Sequence, residues 1–216
     1  MSCVRTMEGA GDTSSPDGRI RPTLCARQRL ALFRDAIAPE KALEILESEI
    51  NIDLIKQHGV AAPNIRSAKL TVLDLKSIGV SSALGLRELE FDSLDLCNPA
   101  FCSSAIAAFG AKDITRSFLI DAGDAVALAG SVAIHSLQLT TQKLLESCAG
   151  CPEQAKAVLQ QTHPHGGALS GVSPVVLLDT GLRAATLCEL GYFMNNIITQ
   201  TQASHEQTRK LGFRFR

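Results

Sequence analysis

Apolar and polar positions along the chain repeat a short phase: an aliphatic residue, three variable ones, a small or polar residue, then in most copies an apolar one. The first clear run takes Leu75 to Gly79-Val80, Leu86 to Glu90-Phe91, Leu96 to Ala100-Phe101 and Ile106 to Gly110-Ala111. The last takes Gly171-Val172, Leu177 to Gly181-Leu182, Leu187 to Gly191-Tyr192, and finally Gly212-Phe213. Steps of ten or eleven residues link most copies. The phase extends backwards through Ile65 to Lys69-Leu70, Ile55 to Gly59-Val60 and Ile45 to Glu49-Ile50, and forwards less cleanly through Val126 to Gly130-Ser131 and Gly150-Cys151. Near 120, 140, 160 and 201 it fades, which predicts degenerate units or units merged into longer helices. A phase that starts near 49 and is still in step at 171 marks tandem repetition.

The chemistry of the unit predicts a short helix. Ser81, Asp92, Ser103, Asp113 and Ser173 follow the dyads, and a short polar side chain there accepts hydrogen bonds from first-turn amides. Pro174 sits at a first helical position, where no donor is needed. Roughly two turns later comes Gly181, Gly191 or Gly212, which takes a left-handed cap without a β-carbon clash. Gly181 and Gly191 are therefore expected at positive φ just past helix ends, each followed by a buried residue, Leu182 or Tyr192. A helix of about seven residues is too short to stand alone, so neighbouring units must bury it. The expected fold is all-α: an α-solenoid-like array of short helices in tandem ~10-residue repeats. The segments Ala38 to His58 and Ser136 to Gln161 have helical spacing without a strong internal break and predict longer helices.

Composition narrows the setting. With 45% apolar and 20% charged residues the chain can offset the entropy of ordering, while only 4% aromatics and no Trp leave an aliphatic, helix-favouring core. Residues 1–27 carry Gly, Ser, Pro and charges of both signs and are expected to be a disordered leader; the helical repeat domain is then 28–216. Arg5, Arg19, Arg21 and Arg27 with several Ser resemble a mitochondrial transit segment, but Glu8, Asp12 and Asp17 count against it. The apolar stretch Phe118 to Leu137 contains Asp121, Asp124 and His135, so no transmembrane helix is expected. Twenty-one basic against 22 acidic residues give no field for nucleic acid. Seven cysteines without framework spacing point to reduced thiols and an intracellular, cytoplasmic compartment.

The strings SIGVSSALGLRELEFDSLDL and LLDTGLRAATLCELGY resemble tandem arrays of short Leu-xxx-Gly-aromatic units found in large protist proteins. That resemblance covers about three quarters of the chain and implies no chemistry. Glu90 and Thr201 depart from its glycine rule.

Few residues invite a chemical assignment. Leu86 to Leu96 contains an Asp92-Ser93-Leu94 turn similar to the carrier motif of acyl carrier proteins, which implies Ser93 as a phosphopantetheine attachment site. Asn98-Pro99 interrupt the long helix such a site needs, and Asp92-Ser93 also fits as one more helix start. The same stretch fits one leucine-rich-repeat line, which makes a leucine-rich horseshoe the alternative fold. Cys148 and Cys151 with His163 and His165 have the residue types of a zinc site, but one residue between the histidines is fewer than zinc fingers use, so reduced thiols and a loop histidine pair are the simpler expectation. A redox role for the cysteine pair lacks a strand-helix context. His163-Pro164-His165-Gly166-Gly167 is a loop signal and the candidate hinge at 163–167. No phosphate loop and no Ser, His and Asp set stands out. The tail Arg209-Lys210 and Arg214-Phe215-Arg216 is expected to be solvated.

The sequence thus predicts a non-catalytic protein-binding scaffold or structural subunit, with other proteins as partners and no cofactor, catalytic residue, nucleic acid or membrane span. The rival is a carrier or metal-binding accessory module built on Ser93 or on the Cys148/Cys151 cluster. A helical array binding organellar nucleic acid is a third reading, opposed by the neutral charge balance.

Overall fold

The computed structural model describes Gln28, 50–162 and 169–214. The proposed leader, the first part of the longer helix expected from Ala38, and the candidate hinge lie outside the described residues. Among the described residues there are fifteen helices and no strand. In chain order they are α1 (Ile52–Gln57), α2 (Ala62–Ser67), α3 (Val72–Ser77), α4 (Ala83–Glu88), α5 (Ser93–Leu96), α6 (Pro99–Phe109), α7 (Ala111–Phe118) and α8 (Ala122–Ala129). Then follow α9 (Ala133–Ser136), α10 (Thr141–Glu146), α11 (Pro152–Thr162), α12 (Pro174–Asp179), α13 (Ala184–Glu189), α14 (Met194–Thr201) and α15 (His205–Lys210). The protein is all-α, and the leucine-rich alternative fails where it was drawn: Leu86 to Leu96 forms the end of α4, a turn and α5 rather than a strand line.

Short polar side chains start many of the helices. Asn51 Oδ1 accepts from Leu54 N at 2.9 Å, and Asp92 Oδ1 from Asp95 N at 3.1 Å while Asp95 returns a bond to Asp92 N at 3.0 Å. Asp92 and Ser173 cap where expected; Ser82, not Ser81, caps α4. Ser103 and Asp113 lie inside α6 and α7. The reason is Asn98-Pro99: the Asn98 carboxamide accepts from Ala100 N and Phe101 N, so α6 starts there and runs through the expected turn at Ala100-Phe101.

The helix ends repeat one device. A residue in the left-handed region donates to the carbonyl three residues back, and the apolar residue after it donates to the carbonyl five back. Gly191 N bonds Cys188 O at 3.0 Å and Tyr192 N bonds Leu187 O at 2.8 Å. Gly181 and Gly191 have φ of 78° and 83°, and Leu182 and Tyr192 after them are buried. Lys69, Glu90 and Gln138, which are not glycines, take the same place at φ of 55°, 65° and 54°. Glu90 therefore keeps the unit's geometry without its glycine. At the other departure α14 runs one residue further, and Gln202 rather than Thr201 is left-handed.

The expected long helices are cut by the same devices. Asn51 caps α1 afresh, and Ser136 to Gln161 is divided by Gln138 with its following Thr140 cap and by Gly150-Cys151-Pro152.

A six-residue helix leaves most of its backbone donors and acceptors unpaired. Some of these are satisfied by helices further along. Ile52 N, at the start of α1, donates to Ile78 O at the end of α3 at 2.9 Å; Ala62 N donates to Leu89 O at 2.7 Å and Ala184 N to Leu211 O at 2.7 Å. Six pairs of helices three apart pack together, α3 with α6, α4 with α7, α5 with α8, α6 with α9, α8 with α11 and α12 with α15, while α10 meets α12, the second one on. The starts of α1 and α4, of α2 and α5, and of α12 and α15 are each 31 residues apart. Of the described aliphatic leaders of the phase, Ile55, Ile65, Leu75, Leu86, Leu96, Leu177 and Leu187 are fully buried, whereas Ile106 and Val126 are half-buried. Each fully buried leader contributes about 2–3 kcal/mol by leaving water, which a lone turn of helix could not gain.

Candidate functional site

Ser93 opens α5, and its side chain is turned inward to the next helix of its series. Its Oγ donates to Asp124 Oδ1 at 2.7 Å, and the residue is 4% exposed. Asp124, on α8, is 7% exposed and has several partners. Ile120 N donates to its other oxygen at 3.1 Å, and its own N–H donates to Asp121 Oδ1 at 2.9 Å. Arg87 on α4 brings a guanidinium nitrogen to 3.7 Å of Asp124 Oδ1 and lies 5.5 Å over the Phe118 ring on α7. A buried carboxylate needs such partners, because an unpaired charge out of water is costly. The cluster joins four helices. A serine that receives a phosphopantetheine arm must meet a transferase from solvent, whereas this hydroxyl is enclosed and already bonded. The same enclosure argues against Ser93 as a nucleophile, since no imidazole faces it among the contacts described.

Cys148 is fully buried and Cys151 half-buried. Burial, with a smaller contribution from Cys151, pushes the Cys148 thiol up to about 11, away from the thiolate that binds metals and attacks disulfides. Among the described residues no group of three or more His, Cys, Asp or Glu is placed to hold a metal ion. His163 and His165, the other half of the motif, lie outside the described residues.

A further set of side chains was not anticipated from the sequence. Lys56, Arg66, Lys76 and Arg87 each directly follow a buried aliphatic leader, and each reaches the next helix of its series. Lys56 pairs with Glu88, Arg66 with Asp95, and Lys76 donates to the Ala108 carbonyl. Arg66 and Lys76 also lie over Phe91 and Phe109, 5.9 and 5.5 Å from the ring centroids. Lys156, after the buried Ala155, makes a comparable pair with Glu189 on α13 at 2.8 Å. The available signal was a basic residue recurring after the leader at ten- or eleven-residue steps, with an acidic residue or Phe about thirty residues later. An isolated exposed pair of this kind adds about 0–1 kcal/mol.

The chemically capable side chains named from the sequence and described here are thus engaged inside the helix array. No protein-family model matches the chain, and no curated protein or solved structure matches it.

Proposed function

We propose that the chain is a non-catalytic scaffold or structural subunit, wound as an α-solenoid with three short helices to each turn of 31 residues, and that it binds other proteins along its outer surface. One observation carries this reading: six pairs of helices three apart pack together, and amides at the starts of α1, α2 and α13 bond to carbonyls at the ends of α3, α4 and α15. Such winding presents a long surface built from many equivalent helix faces, the usual platform for protein partners. The engagement of Ser93, Asp124 and Cys148 in internal packing supports a role without chemistry. The resemblance to tandem protist arrays points the same way and adds no activity.

Affinity purification of the tagged chain from its source, with chemical cross-linking and mass spectrometry, tests the function. A defined partner cross-linked to exposed helix faces is expected; a chain recovered alone refutes the scaffold reading. Intact mass under native conditions tests the carrier and metal alternative, for which an added pantetheine arm or retained zinc is required. Solution scattering tests the winding: a globule of this length has a radius of gyration of about 17 Å, and a solenoid must exceed it.

A further inference from the structure

Cys148 and Cys151 stand at the two ends of one tight turn between α10 and α11. Cys151 N donates to Cys148 O at 3.0 Å, and Gly150 is left-handed at φ 70°. These are the closing hydrogen bond and the third-position glycine of a β-turn. The end Cα atoms of such a turn lie within about 7 Å of each other, and a disulfide spans about 4.4–6.8 Å between its Cα atoms. The backbone therefore holds two thiols at bonding range before any reaction. The part that Cys151 plays in raising the Cys148 thiol agrees with neighbouring sulfurs. The turn is itself anchored. Gly150 N donates to Asp179 O at the end of α12 at 2.7 Å, and a β-carbon at Gly181 would lie 3.8 Å from Pro152 Cδ. The joint between α10 and α11 is thus seated on the turn that follows α12.

The two thiols differ in access. Cys148 is fully buried, whereas Cys151 is half-buried just ahead of α11, where its carbonyl accepts from Ala155 N at 3.0 Å. A reagent arriving from solvent meets Cys151 first and leaves Cys148 to close the bond from inside. Elsewhere, Cys97 donates to Ala127 O on α8 at 3.3 Å, Cys102 is buried within α6, and Cys188 is exposed on α13.

We propose that the Cys148-Ala149-Gly150-Cys151 turn is a thiol–disulfide exchange site, oxidised by a small disulfide such as glutathione disulfide to an internal disulfide that braces the joint of α10 and α11 against α12. The Cys151 thiolate attacks one glutathione sulfur, which breaks the reagent's S–S bond, forms a mixed disulfide and releases one glutathione. Cys148 then attacks the Cys151 sulfur and releases the second. The two cysteine protons end on the two released thiols; the protein loses two electrons and the reagent gains two. Burial keeps Cys148 largely protonated, but its attack is intramolecular, and proximity of this kind reaches effective concentrations on the order of 10⁵ M.

Both cysteines fall in one tryptic peptide, 144–156, bounded by Lys143 and Lys156. After the native full chain is treated with glutathione disulfide and alkylated, mass spectrometry should find this peptide two hydrogens lighter and closed to alkylation until dithiothreitol is added. Cys148→Ser should stop at glutathione bound to Cys151, and Cys151→Ser should leave Cys148 unmodified. Reduction by glutathione should require at least tenfold more reagent for the native disulfide than for the same disulfide in urea, and the oxidised chain should melt higher than the reduced one. A 144–156 peptide that stays alkylated while Cys97 and Cys102 are oxidised, the reverse pattern in the two serine variants, equal reduction in water and urea, or a lower melting temperature overturns the proposal.

Discussion

Replacing Gly191 by alanine isolates the turn on which the repeat depends. Gly191 sits at φ 83°, and a β-carbon built there meets no atom within 4 Å outside its chain neighbours. The cost of Gly191→Ala is therefore almost purely that of holding an L-residue in the left-handed region, about 1–2 kcal/mol. The same side chain at Gly79 adds a packing cost, since its β-carbon would lie 3.3 Å from Ile52 Cγ2, so Gly79→Ala should destabilise more. The argument also runs in reverse. Lys69 and Glu90 already hold left-handed conformations, at φ 55° and 65°, so Lys69→Gly and Glu90→Gly should each stabilise by up to about 1 kcal/mol. Thermal unfolding followed by circular dichroism would read these as shifts of roughly 2–4 °C per kcal/mol. A Gly191→Ala variant that melts higher than its parent would refute the reasoning, because alanine stabilises a glycine position only where the helix continues through it.

Three further expectations concern the interior. The Tyr192 hydroxyl is buried without a hydrogen-bond partner, so Tyr192→Phe should raise stability by about 1 kcal/mol in urea unfolding, and a loss would mean that the hydroxyl is in fact satisfied. Asp124→Ala should cost about 3 kcal/mol, since it strands the Ser93 hydroxyl and the Arg87 guanidinium, whereas Lys156→Ala at the exposed pair with Glu189 should cost less than 1; equal losses would deny Asp124 its central place. The Cys148 thiol is raised to about 11 when folded against about 8.5 in the unfolded chain, so only the unfolded state ionises between those values and stability falls as pH rises through that window. Urea midpoints at pH 8 and pH 10 should diverge more for the parent than for Cys148→Ala; equal divergence removes this group from the account.

The fold was legible where a local rule decides it. The leaders from Ile55 to Leu96, the caps at Asp92 and Ser173 and the left-handed Gly181 and Gly191 follow from single-turn chemistry visible in adjacent residues. Misplacements came where two local signals compete: Asn98-Pro99 starts α6 ahead of Ser103, and Gln138 and Gly150 cut a segment whose apolar spacing alone reads as one long helix. Ser93 could not be settled from its neighbours, because its partner Asp124 lies on another helix 31 residues away. The basic residues after the leaders were hidden for the same reason. Lys56 and Arg66 look like ordinary solvated charges until the third helix on is placed beside them.

The amide-to-carbonyl bonds from Ile52 to Ile78, Ala62 to Leu89 and Ala184 to Leu211 also bear on how the molecule would yield under load. Each joins points fewer than thirty residues apart, and no hydrogen bond or ion pair described here joins points more than 33 apart, the reach of Lys156 to Glu189. On the proposed winding, a pull on the two ends would meet these fasteners in succession rather than all at once. Each released turn pays out on the order of 100 Å of extended chain, at about 3.3–3.6 Å per residue. Such a chain would lengthen stepwise at modest force and rewind from whatever turns remain, as a compliant tether does and a cooperatively sheared bundle does not.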